Sequence, residues 1–188
     1  MERKQLLCLM ADYNQWMNDK LIAAARTLPH EALVADRKAY FGSILATLNH
    51  LVVGDTIWLK RFANHPAGYA ALAPMHDVPM PSISELNRFS ELAAYETHRR
   101  CLDAVIVDWA RSVEERDLDV VMHYANSRGE VADRSYFGLV MHFFNHQTHH
   151  RGQITTLLSQ VGVDVGSTDL LVRVPDLSKP SQDKNHGG

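Results

Sequence analysis

From Tyr136 to Val161 the apolar residues recur at three- and four-residue intervals, the spacing of one helix face. Gly162 follows, a residue suited to the left-handed turn that ends many helices. Inside this segment runs His142-Phe143-Phe144-Asn145-His146-Gln147-Thr148-His149-His150-Arg151-Gly152-Gln153, which packs four of the chain's eleven histidines into nine residues. Residues four apart on a helix lie one above the other, so His146 and His150 can aim both imidazoles at one point. A metal ion needs that convergence, because imidazole nitrogens must come within about 2.0–2.1 Å of zinc. Two ligands do not make a tight site, and a third has to come from elsewhere in the chain.

Three other segments share the helical period. Residues 2–28 form the first, with Leu6, Leu9, Met10, Tyr13, Trp16, Met17, Leu21 and Ala24 in step, ended by Pro29. A second starts at Ser43, a good N-cap residue, and runs to about Phe62. Residues 64–81 carry Asn64, Gly68 and four prolines and read as a long loop. Ser82-Ile83-Ser84-Glu85 reads as a capping box opening a third helix that continues to about Val113. Over residues 118–133 the period changes to two, and Asn126-Ser127-Arg128-Gly129 supplies a turn, which predicts a β-hairpin. The expectation is an all-α fold: a four-helix bundle with a short β-hairpin inserted before the last helix. Residues 1–175 make one domain, Leu170, Leu171 and Val172 pack back on the bundle, and residues 176–188 form a disordered tail.

Bundles build metal sites from side chains on facing helices. His50 lies mid-helix on the stripe Ala46, Val53, Ile57. Taken alone it reads as a hydrogen-bonded core histidine, but beside a His-x-x-x-His pair it is the favoured third ligand. Three imidazoles with an open position are the arrangement of catalytic rather than structural zinc. His98 is the rival, although Glu96, Arg99 and Arg100 around it point to a solvated edge. His142 is a substitute ligand or an outer donor, and His149, turned about 100° from its neighbour, a surface residue. His30, His65, His76, His123 and His186 fall in connections, the hairpin or the tail, where solvated roles prevail. Gly152 marks a close helix contact, and Arg151 and Gln153 serve as surface ion-pair or hydrogen-bonding groups. Asp55 is either a partner orienting an imidazole or, more simply, part of a solvated face.

Position 147 is Gln, so there is no His-Glu-x-x-His and no built-in general base. No nucleophile elbow, P-loop or dinucleotide fingerprint occurs. With 19 basic against 22 acidic residues the net charge is −3, and no clustered positive stripe offers a nucleic-acid footprint. No apolar run approaches the ~20 residues a bilayer span requires, and the N-terminus does not read as a signal peptide. Cys8 and Cys101, with no Cys-x-x-Cys spacing, read as buried, reduced thiols in a cytoplasmic chain.

Several blocks together resemble a known family: Tyr13-Asn14-Gln15-Trp16, the stretch Ser43 to His50, Asp55-Thr56-Ile57-Trp58-Leu59, Asn145 to Gln153, and Thr168-Asp169-Leu170-Leu171. Over nearly its whole length the chain is similar to the DinB family, relatives of YfiT-type metal hydrolases and of transferases that use mycothiol or bacillithiol. The resemblance implies a four-helix bundle, a homodimer, and a zinc or nickel ion on His50, His146 and His150. A mycothiol-dependent maleylpyruvate isomerase would place Glu where this chain has His146, so the all-histidine branch is favoured. The activity implied is a metal-dependent thiol S-transferase acting on small electrophiles with a low-molecular-weight thiol. The alternatives are a hydrolase of small amides or esters using metal-activated water, or a non-catalytic dimeric bundle stabilised by its metal.

Overall fold

The computed structural model describes residues 1–176 and 178, apart from 83 and 127. Along the chain come α1 (Arg3–Ala25), the short α2 (His30–Val34), α3 (Ile44–Phe62), α4 (Leu92–Ser112), a hairpin of β1 (Val121–Ala125) and β2 (Val131–Ser135), and α5 (Tyr136–Gln160). The four long helices α1, α3, α4 and α5 pack as the expected bundle, and the hairpin precedes the last of them.

Local chemistry sets most of these boundaries. Ser43 caps α3, its Oγ accepting from the Ala46 N–H at 3.1 Å. Every residue from Thr47 to Leu59 is buried, so α3 is a core helix rather than a half-exposed one. Its threonines are accommodated because Thr47 and Thr56 donate to the carbonyls four residues earlier, at 2.8 and 2.7 Å. In the hairpin Val121 faces Ser135 and Ala125 faces Val131. Gly129, at φ +79°, makes the turn that a side chain would strain. At the end of α5, Gly162 adopts φ +81° while the Val163 N–H returns to the Leu158 carbonyl at 3.0 Å. Where the bundle meets the hairpin, Trp109 donates from Nε1 to the Tyr136 hydroxyl at 3.0 Å and stacks on Phe62 with ring centres 5.1 Å apart.

Several expectations give way. The third helix does not open at Ser82: α4 begins at Leu92, and the Ser82 and Ser84 hydroxyls pair with each other at 2.8 Å in a turn. The reason is tertiary. The Asn49 side chain accepts from the Phe89 N–H and donates to the Phe89 carbonyl, both at 2.9 Å, which holds that backbone out of the helix. Ile83, inside the expected capping box, lies outside the described residues. The connection after Pro29 contains α2, and the 64–81 loop contains a 3₁₀ turn, Ala70–His76, that buries Leu72 and Met75.

Leu171 and Val172 do not pack back; they are 77% and 57% exposed. The segment is tied instead by the Tyr13 hydroxyl donating to the Thr168 carbonyl at 2.6 Å. The expected disordered tail from 176 onward falls almost wholly outside the described residues. Both cysteines are free thiols, but Cys101 is exposed and Cys8 only half-buried. No helix among the described residues is long and apolar enough to cross a membrane.

Candidate metal centre

The histidine pair of α5 and the single histidine of α3 meet between those two helices. His50 Nε2 lies 3.1 Å from His150 Nε2 and 3.3 Å from His146 Nε2, and the latter two are 3.1 Å apart. These three form the only histidine, cysteine or carboxylate group able to hold a metal ion among the described residues. Ligand nitrogens at about 2.0–2.1 Å from a tetrahedral ion stand about 3.3–3.4 Å from one another, close to the separations seen. A neutral imidazole carries one N–H, so three facing nitrogens cannot all be satisfied by each other. A cation at their centre satisfies every lone pair, so the donor set fits a borderline-soft divalent metal.

Protonation favours the same use. Burial, with His150 nearby, pushes His50 down to about 4. Burial together with the surrounding imidazoles pushes His146 down to about 3. His150 is also lowered by burial, with Gln153 working against the shift. Gln153 Oε1 sits 2.8 Å from His150 Nδ1, which holds the proton on Nδ1 and leaves the Nε2 lone pair free to ligate. Gln153 thus fulfils the hydrogen-bonding role expected of it.

These shifts give the metal-free protein a defined acid response. The folded values lie below the unfolded value of about 6.5, so between them the unfolded chain binds protons that the folded chain refuses. Stability is therefore full above about 6.5 and falls as the pH drops from there toward about 4. Chelated protein melted at pH 7.5, 6.0 and 5.0 should lose melting temperature at each step; a flat profile would contradict neutral buried rings.

Gly54, one helical turn after His50, went unremarked in the sequence. A Cβ built there would lie 2.8 Å from His146 Cε1, so a side chain at position 54 would push the α5 imidazole from the place it holds. Gly54→Ala should weaken metal binding by about 10–100-fold, the range seen when a ligand's orientation is disturbed. The same change favours the helix by up to about 1 kcal/mol. The metal-free melting temperature should therefore hold or rise while affinity drops, and equal losses in both would refute this role. At Gly152, where a close contact was expected, a Cβ would meet nothing within 4 Å.

The other histidines sort differently. His142 packs against Trp58 with ring centres 5.0 Å apart and is not among the convergent nitrogens, so the substitute-ligand role lapses. His149 is exposed, as expected, and His98 is half-buried against Phe89 rather than joining the site. His65 is not solvated: it is buried between Tyr69 and Tyr136, with Nε2 3.2 Å from the Asp117 carbonyl oxygen. His186 lies outside the described residues.

Behind the histidines, on the core side of α5, four helices share a buried polar network. Asp55, read as a solvated residue or an imidazole partner, is 1% exposed and accepts from Arg99 Nη1 at 2.6 Å. Arg99, wholly buried, also lies 2.9 Å from Asp103, which accepts from Asn14 and Asn18 at 3.0 and 2.9 Å. Burial works against the Arg99 charge, but the two carboxylates outweigh it and keep the guanidinium protonated. Arg151, expected at the surface, is 2% exposed and donates to Asn14. Burial lowers it only to about 10, so it stays charged at neutral pH. Burial pushes the Asp55 carboxyl above its ordinary range, with Arg99 and the fully buried Gln147 working against the shift. The sequence did carry a signal. Asp55 falls in step with Leu48, Val52 and Leu59, and Arg99 with Tyr95, Leu102 and Ile106, so both occupy inward positions.

On the solvent side the triad opens into a cleft of about 560 Å³ lined by Tyr40, Phe41, His50, Ser84, Leu86 and His150. Phe41 stacks on the His50 ring at 4.0 Å and meets His150 edge-on at 5.3 Å.

Fold and site together define a helical bundle in which facing helices bring three neutral imidazoles together, two of them at an open cleft. The family model described as "DinB family" matches residues 1–178, and the chain belongs to that family. It is similar to Protein DinB of Bacillus subtilis (strain 168), with 23% identity over 158 residues, spanning 84% of this chain and 87% of that protein. No solved structure matches the chain.

Proposed function

We propose that this protein is a metal-dependent transferase that joins a low-molecular-weight thiol to a small electrophile, with His50, His146 and His150 holding a zinc or nickel ion. The observation that carries the reading is the convergence of three neutral imidazole nitrogens, 3.1–3.3 Å apart, at the edge of an open cleft. A bound divalent ion would supply Lewis acidity that favours the deprotonated form of a sulfur or oxygen nucleophile. The chain's own part is to hold the ligating tautomer through Gln153, to keep the rings neutral by burial, and to leave the cleft side open. Among the described residues the cleft lining includes no carboxylate, so solvent would take the nucleophile's proton. That favours a thiol, whose proton is lost easily near neutral pH, over water. A homodimer belongs to this reading on family membership alone.

The test is thiol consumption. Zinc- and nickel-loaded protein, supplied with cysteine-type thiols and a model electrophile, should form thioether faster than the His50→Ala variant. Thiol-independent turnover of an amide or ester would replace the transferase with a hydrolase. Turnover of neither, together with a melting temperature that collapses on chelation, would leave a metal-stabilised bundle without catalysis.

A further inference from the structure

The cleft over the triad has a chemical character of its own. None of the six described residues that line it carries a permanent charge. Its apolar lining is Tyr40, Phe41 and Leu86. Tyr40 is 89% exposed, a full-sized aromatic whose ring meets Phe41 edge-on at 4.8 Å and stands open to the cleft. A volume near 560 Å³ suits a small molecule rather than a chain segment.

The loop that presents these two aromatics is firmly built. The Arg37 N–H donates to the Gly42 carbonyl at 2.6 Å, and the Gly42 N–H returns to the Ala39 carbonyl at 2.9 Å. Lys38 is the sole non-glycine residue with positive φ, +57°, among those described, and its N–H donates to the Asp36 carboxylate at 2.9 Å. A lysine held in that conformation is strained, and such strain persists where surrounding contacts over-determine it, often beside a binding site. On the far side of Tyr40 and Phe41 lies a second groove of about 260 Å³ that carries Arg37, Gln153, Thr156 and Gln160. The aromatic pair therefore lines both a groove that carries the cations Arg37 and Lys38 and an uncharged one facing the triad.

From this asymmetry we propose that the cleft receives a flat, uncharged, aryl-sized portion of the substrate, packed against Tyr40, Phe41 and Leu86, while the reacting end reaches His50 and His150. The inference rests on the metal-site reading above and names the substrate class for it. A planar apolar group gains by leaving water and by edge and face contacts with the aromatics. A carboxylate in the same position, away from the metal ligands, would lose its hydration with no cationic side chain among the described lining residues to replace it.

Three hydroxamates, whose chelating ends are alike, separate the two ideas by calorimetry on the zinc-loaded full chain. 2-Naphthohydroxamate should bind at least about tenfold more tightly than acetohydroxamate, a gain set by burial of the aromatic rings. A naphthohydroxamate carrying a carboxylate on the distal ring should lose that gain. Tyr40→Ser, at an exposed position that leaves the core intact, should retain zinc and shrink the naphthyl advantage to less than about threefold. Equal affinities for all three, or a naphthyl advantage unchanged in Tyr40→Ser, would overturn the cleft assignment and leave the metal reading standing. Failure of the chain to take up zinc at all would overturn the metal reading, and this inference with it; failure of every hydroxamate to bind a chain that does hold zinc would overturn the cleft assignment alone.

Discussion

Protein carrying His50→Ala or His146→Ala is expected to emerge from purification without its metal. Wild type prepared without metal-affinity columns should hold close to one divalent ion per chain by elemental analysis. Loss of an outer partner of a ligand already costs 10–100-fold in affinity, so loss of a ligand should cost more than about 100-fold. An ion that binds only the folded chain adds about 2.7 kcal/mol of stability at a concentration 100 times its Kd. For a chain of this length that is worth about 5–10 °C in melting temperature. Chelation should therefore lower the wild-type melting temperature by that amount and leave both variants unmoved. Metal retained at wild-type levels by both variants would return these histidines to the role of core residues.

The second large effect is expected far from solvent. Arg99→Ala removes the guanidinium that faces Asp55 at 2.6 Å and Asp103 at 2.9 Å, leaving two buried carboxylates without their cation. Breaking a buried pair from one side costs about 3–5 kcal/mol, a large share of a typical domain's total stability. The melting temperature should fall by about 6–20 °C. Removing the charges together, as Arg99→Leu with Asp55→Leu and Asp103→Asn, should recover much of that loss, because an apolar replacement often matches a buried ion pair in stability. A single Arg99→Ala variant that melts like wild type would show that the network bears no structural load. The network joins α1, α3, α4 and α5 through Asn14, Asp55, Arg99 and Arg151. It also sits one residue along α5 from each of His146 and His150, so it favours one rotation of that helix.

What could be read from the chain alone is what near neighbours decide. Helical period marked the four long segments, Ser43 and Gly162 marked two of their ends, and the turn at Asn126–Gly129 marked the hairpin. The pair His146 and His150 was equally legible, since four residues of helix fix their mutual position. Even the choice of His50 followed from its helix face once a partner was sought. The misjudged residues share a cause. Asp55, Arg99 and Arg151 lie in step with apolar stripes but were weighed by their charge, and only a partner on another helix makes their burial tolerable. The start of α4 could not be read because Asn49, forty residues away in sequence, takes both backbone groups of Phe89. Gly54 looks like a helix-weakening residue until α5 lays an imidazole against it.

The sequence by itself determined the four long helices, the shared face of His146 and His150, and the family. The tertiary structure alone decided that His50 Nε2 stands 3.1 Å from a ring 100 residues further along, and that Phe41 lies stacked against it. The physical reason is one of range. Period, capping and turn chemistry act over three or four residues. The rotation and separation of packed helices are settled by buried contacts between segments that the linear order keeps far apart.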